Sequence, residues 1–108
     1  MATAYKVLGQ SNPGITTHTT LYTVPANTST VASTLSVCNT STSATFRVAV
    51  RPGGAGITTS HYIVYDSSVN QYDSVFLTLG ITLATTDVVT VYAGAATLSF
   101  SLFGSEIA

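Results

Sequence analysis

Among the side chains able to act as acids, bases or nucleophiles in this sequence are four carboxylates, two histidines and one cysteine: Asp66, Asp73, Asp87, Glu106, His18, His61 and Cys38. Acid-catalysed glycoside hydrolysis needs two carboxyls converging across a cleft, about 5 to 10 Å apart. Here each acid lies beside turn residues or in the tail, so ordinary turn and surface roles are expected. His18 and His61 stand far apart with no companions at metal-ligand spacing, and no metal is expected. Cys38 with His61 and an acid would make a nucleophilic triad. No motif surrounds Cys38 at its strand end, which reads as a half-buried structural thiol. No catalytic residue, metal or cofactor is therefore assigned.

Other motifs resolve in the same direction. Gly53-Gly54-Ala55-Gly56 lacks the Lys-Ser/Thr and the following helix of a phosphate loop, and reads as a hairpin loop. Asn27-Thr28-Ser29 and Asn39-Thr40-Ser41 fit the glycosylation pattern, but the segment from Met1 to Gln10 lacks the basic start and apolar run of a secretory signal. The six tyrosines could form a sugar platform. Alternation puts Tyr62 and Tyr65 on opposite faces of one strand and Tyr22, Tyr72 and Tyr92 on others, so packing and interface roles are expected before carbohydrate binding.

The elements that must position these residues are short alternating segments rich in Val, Thr, Tyr and Phe, separated by Gly, Pro, Asn and Ser/Thr clusters. This is the pattern of an all-β fold, an antiparallel two-layer β-sandwich, Ig-like or jelly-roll-like, with about seven to eight strands. In Thr97 to Phe103, Leu98, Phe100 and Leu102 point one way and Thr97, Ser99 and Ser101 the other. Ala44 to Arg51 puts Phe46, Val48 and Val50 inside, with Arg47, Ala49 and Arg51 outside, and ends at Pro52. Thr20 to Val24 stops at Pro25. Thr30 to Asn39 has Val31, Leu35 and Val37 in phase, and Ser33 marks a bulge or a shallow position.

Three segments, His61 to Tyr65, Val75 to Leu79 and Val88 to Tyr92, are apolar on both faces, which predicts cover by another chain. Ser11-Asn12-Pro13-Gly14 is a turn or linker signal. It divides the chain into residues 1–18, an N-terminal arm or edge strand with linker, and a sandwich domain over residues 19–108.

Composition bounds the partners. The chain is 45% hydrophobic and 6% charged, with net charge −1, whereas an ordinary soluble domain carries about 25% charged residues. Such a surface predicts a part of an assembly. Lys6, Arg47 and Arg51 are too few to neutralise the roughly 6 to 10 phosphates of a nucleic-acid site. No apolar run reaches the roughly 18 residues of a membrane helix. Neither nucleic acid nor membrane is expected as a partner. The residues expected at an interface are Tyr5, Val7, Arg47, Arg51, Tyr62 and Tyr65.

Six segments carry a resemblance: TLYTVPA (Thr20 to Ala26), VCNT (Val37 to Thr40), FRVAVRP (Phe46 to Pro52), HYIVYD (His61 to Asp66), LTLGITL (Leu77 to Leu83) and DVVTVYA (Asp87 to Ala93). In these the chain resembles the small β-sandwich structural proteins of tailed bacteriophages, cyanophages among them, over about residues 5 to 106. Many such proteins carry Gly where this chain has Thr86. The resemblance implies a virion component without enzymatic activity, made in the host cytoplasm. The first expectation is a capsid decoration or cement protein that binds the major capsid protein or other virion proteins, as a homo-oligomer with a trimer among the forms allowed. The second is a tail, neck or baseplate module that serves assembly or binds a host-surface glycan.

Overall fold

The computed structural model describes residues 3–108; residues 1 and 2 of the expected 1–18 segment lie outside the described residues. Eight strands run in chain order: β1 (Thr3–Ser11), β2 (His18–Thr23), β3 (Ser29–Asn39), β4 (Ala44–Arg51), β5 (Tyr62–Val69), β6 (Ser74–Leu83), β7 (Val88–Ala93) and β8 (Leu98–Ile107). They form two four-stranded antiparallel sheets, ordered β1-β8-β3-β6 and β2-β7-β4-β5. Strand one pairs with eight, two with seven, three with six and four with five. This nested pairing is a long hairpin rolled up on itself, the jelly roll rather than the Ig arrangement. Within the 1–18 segment, Thr3–Ser11 is the edge strand β1, paired with β8 from Thr3↔Ile107 to Ser11↔Phe100.

Alternation builds the core between the sheets. Leu98, Phe100 and Leu102 of β8 meet Phe46 and Val48 of β4, Leu35 and Val37 of β3, and Val89 and Val91 of β7, all buried. Phe46 and Phe100 pack edge to face, with ring centroids 6.0 Å apart, the geometry the aromatic quadrupole favours. At one end of this core Asn39, 2% exposed, has its whole amide occupied. Nδ2 donates towards the carbonyls of Thr42 (2.8 Å), Val69 (3.2 Å) and Asn70 (3.3 Å). Oδ1 accepts from the Ser41 N–H (3.1 Å) and the Thr97 hydroxyl (3.0 Å).

Three departures from simple alternation matter. Ser33 does mark a bulge, with register breaking between Ala32 and Thr34. Because the extra residue reverses the phase, Thr30 and Ala32 are buried before it and Leu35 and Val37 after it. Val31 therefore belongs to the outer face, against the expectation from its spacing. In β5 two register shifts against β4 insert extra residues, and Asp66 sits in the left-handed region at φ 53°. Tyr62 and Tyr65 end on the same outer face, ring centroids 5.0 Å apart, where uninterrupted alternation would separate them.

The third departure is β7. Val88 to Val91 are buried on both faces, as their composition predicts, but the cover on the outer side comes from this chain. Arg51 reaches over to Thr90, and the connection from Pro52 to His61 carries Ile57 alongside it. By contrast, β5 and β6 leave Ile63, Tyr65 and Phe76 exposed.

Asp87 is the turn residue its position suggests. Its two carboxylate oxygens accept from the Gly53 and Ala84 N–H groups at 2.9 and 2.8 Å. Thr86 before it lies at φ 67°, a conformation that glycine adopts without steric cost.

Candidate functional site

The six residues expected at an interface divide between opposite sides of the sandwich. Tyr5 and Val7 of β1 lie on the outer face of the first sheet, where with Val31 and Phe103 they line a shallow, largely apolar groove of about 460 Å³. Tyr5 is 86% exposed, and Phe76, on β6 at the far edge of the same face, is 69% exposed. Beneath the groove Gly104 lets β8 lie close to β3. A methyl group there would collide with the Val31 carbonyl and the Ala32 Cα. Ser36, Ser99 and Ser101 cover the area between the groove and Phe76, hydroxyls standing where most proteins carry charge.

The outer face of the second sheet is of another kind. Register places His18 opposite Tyr92 and Tyr92 opposite Arg47, and the β5 bulge brings both Tyr65 and Asp66 to the end of that row. The Arg47 guanidinium donates to both Asp66 oxygens, from Nε at 2.7 Å and from Nη2 at 3.3 Å. It lies 4.2 Å from the Tyr65 ring centroid and 4.5 Å from that of Tyr92, within cation–π range. The hydrogen bonds from Arg47 hold the Asp66 carboxyl below its ordinary range. Both partners reach solvent, so screening leaves the ion pair to fix geometry more than to stabilise the fold. Tyr62 packs edge to face on Tyr65, and its hydroxyl hydrogen-bonds with His18 Nε2 at 3.0 Å.

Arg51 lies beside this row but has a separate task. Its Nε donates to Thr90 Oγ1 (3.0 Å) and its Nη1 to the Gly54 and Ala55 carbonyls (3.3 and 3.0 Å), which fastens the loop after β4.

Two further titratable groups are engaged in local structure. Asp73 Oδ1 accepts from the Ser74 N–H, and His61 Nδ1 accepts from the Thr58 N–H. Cys38 is half-buried. Among the described residues no three His, Cys, Asp or Glu side chains gather as a metal cluster would require. Glu106 is not a tail residue: it stands in β8 between Ala4 and Thr30. One of its oxygens accepts from Lys6 Nζ at 2.9 Å and the other from the Tyr22 hydroxyl at 2.5 Å. Tyr22 also meets Thr30 Oγ1 at 2.8 Å, which joins the two sheets at this end.

Burial first, then the bond to Glu106, pushes the Tyr22 hydroxyl up to about 12. The hydrogen bonds from Tyr22 and Lys6 pull Glu106 down. A lowered carboxylate stabilises the fold above its unfolded pKa of about 4.3, and this contribution is lost as pH falls through the folded value. A raised tyrosine stabilises below about 10, and that contribution is lost as pH climbs towards 12. The melting temperature should therefore fall on both sides. In Glu106→Gln the acid limb should be flatter than in the wild type; an identical acid limb would remove Glu106 from the linkage.

Residue types alone did not bring His18, Tyr92 and Asp66 together with Arg47. The pattern of Asp87 to Ala93, which sets Tyr92 opposite in phase to buried Val91, was the available signal for one of them. The assembled surfaces are an apolar groove on one face and an aromatic row with a clamped guanidinium on the other. Comparisons with protein families, curated proteins and solved structures find no match to this chain.

Proposed function

We propose that this protein is a non-enzymatic structural component of a tailed-phage virion, a decoration or cement protein that binds the major capsid protein and stabilises the shell. The observation that carries the reading is the outer face of the first sheet. There Tyr5 and Val7 stay exposed along an apolar groove and Phe76 at the far edge of the same face, on a chain with only 6% charged residues. Exposed apolar surface of this kind marks contact sites. The six motif segments supply the virion context, and jelly rolls recur in viral capsid proteins. A footprint of about 800 Å² per side would hold one copy, and repetition over a shell would add avidity, more so if the protein is a homo-oligomer.

Particles assembled without the protein should lose infectivity on heating or osmotic shock sooner than complete particles, and Tyr5→Ser/Val7→Ser should weaken attachment without unfolding the domain. Equal resistance of the two kinds of particle would refute the cement role. One observation favours a second reading, a tail, neck or baseplate module that binds a host-surface glycan: the row of His18, Tyr92, Arg47 and Tyr65 on the other face. Copy number separates them, since hundreds per particle belong to a shell and a handful to a tail.

A further inference from the structure

Three Lys and Arg side chains carry positive charge in this protein. Two of them meet carboxylates, Lys6 on Glu106 and Arg47 on Asp66. Arg51 does not. Its acceptors are the Thr90 hydroxyl and the Gly54 and Ala55 carbonyls, all neutral, so the guanidinium is held in place with no carboxylate within ion-pair distance among the described residues. Its Nη2 makes no hydrogen bond among the described residues, and no buried side-chain nitrogen there lacks a partner, so Nη2 reaches solvent. Beside it opens a cavity of about 250 Å³ lined by His18, Thr20, Arg51, Ile57 and Thr90. His18 is shared with the aromatic row, its ring 4.8 Å from that of Tyr92.

We propose that this cavity binds a single sugar unit bearing a carboxylate. Arg51 Nη2 supplies a charge-assisted hydrogen bond to the carboxylate. Thr90 Oγ1 already accepts from Arg51 Nε, which leaves its own hydrogen to donate to a ligand oxygen, and the Thr20 hydroxyl serves a second one. Ile57 and the His18 ring meet the apolar face of the sugar. One cation suits one negative charge, whereas a phosphate dianion would call for more. The volume lies under the roughly 300 Å³ at which pockets for drug-sized ligands begin, which fits one residue of a glycan and not a longer stretch. This ligand class deepens the glycan-binding reading and is independent of shell attachment, which uses the opposite face.

The test is a titration of the intact, ¹⁵N-labelled protein with N-acetylneuraminic acid and with glucuronic acid, with glucose and acetate as controls. At least one acid sugar should shift the amides of Thr20, Ile57 and Thr90 and saturate, with glucose and acetate about tenfold weaker or more. Arg51→Gln should lose about tenfold or more in affinity, as expected for one bond to a charged group. Because Arg51 also fastens the loop, Thr20→Glu gives a second arm: a built-in carboxylate in the cavity should abolish binding and leave the melting temperature unchanged or raised.

Acetate binding as tightly as the sugar acids would reduce the site to one for a bare anion, and equal binding of glucose would deny the charge a role. Either result overturns the proposal. So does the absence of saturable shifts with both acids, or binding that survives Thr20→Glu. Shell attachment measured on the same variants should be unchanged, so that failure here and failure of the cement reading are told apart.

Discussion

Phe100→Ala should destabilise the domain by about 3 to 5 kcal/mol, the cost of removing a buried aromatic and leaving a cavity. Phe100 is 1% exposed and fills the centre of the sandwich against Phe46. Both rings belong to central strands, so the backbone around them has little room to collapse into the void. For a domain whose whole stability is about 5 to 15 kcal/mol, the loss should lower the melting temperature by roughly 12 °C or more. Phe103, three residues on, lies on the outer face at the groove and is half-buried. Phe103→Ala should shift the melting temperature far less. If the two variants melt together, the facing of β8 is wrong, and with it the groove.

Asn39→Ala should cost about 2 to 4 kcal/mol for a different reason. The amide ties together the β3–β4 turn, the end of β5 and the start of β8 through five hydrogen bonds. Truncation leaves buried carbonyls without a donor, at about 1 to 3 kcal/mol for each group that water cannot reach. Asn39→Asp should be worse at neutral pH, since a carboxylate would face three carbonyl oxygens. The denaturant midpoint should fall with an unchanged slope, and a midpoint equal to that of the wild type would mean that this network does not form in solution. The same geometry disposes of the glycosylation pattern at Asn39, whose nitrogen is already committed inside the fold.

How much of this could be read from residues alone differs from strand to strand. β8 was legible as far as Phe103, because Leu98, Phe100 and Leu102 alternate with Thr97, Ser99 and Ser101 and no bulge disturbs that stretch. β3 and β5 were legible as strands but not in phase. A single extra residue sends every later side chain to the other face, and the backbone decides where it goes. That is why Val31 moved outward and why Tyr62 and Tyr65 came together. The aromatic row was less accessible still, since it joins four strands through cross-strand register, which no local pattern encodes. Exposed apolar positions on β5 and β6 were foreshadowed by composition; the cover over β7 was not, because it depends on where the loop after β4 folds back. Glu106 looked like a tail residue only because the length of β8 is set by its partners β1 and β3.

The nested pairing of the strands has a consequence for the order in which they can assemble. Only β4 and β5 are neighbours joined by one loop; each further pair closes a longer circuit, up to Thr3 opposite Ile107. Closing such circuits is entropically costly until inner pairs have brought the ends together, so zippering runs outward from the β4–β5 hairpin and β1 docks last. Domains dominated by such distant pairings fold in milliseconds to seconds rather than microseconds. Throughout that interval β8 presents an open edge to any strand within reach, which makes the newly made chain, more than the finished one, the form most prone to pair with a neighbour.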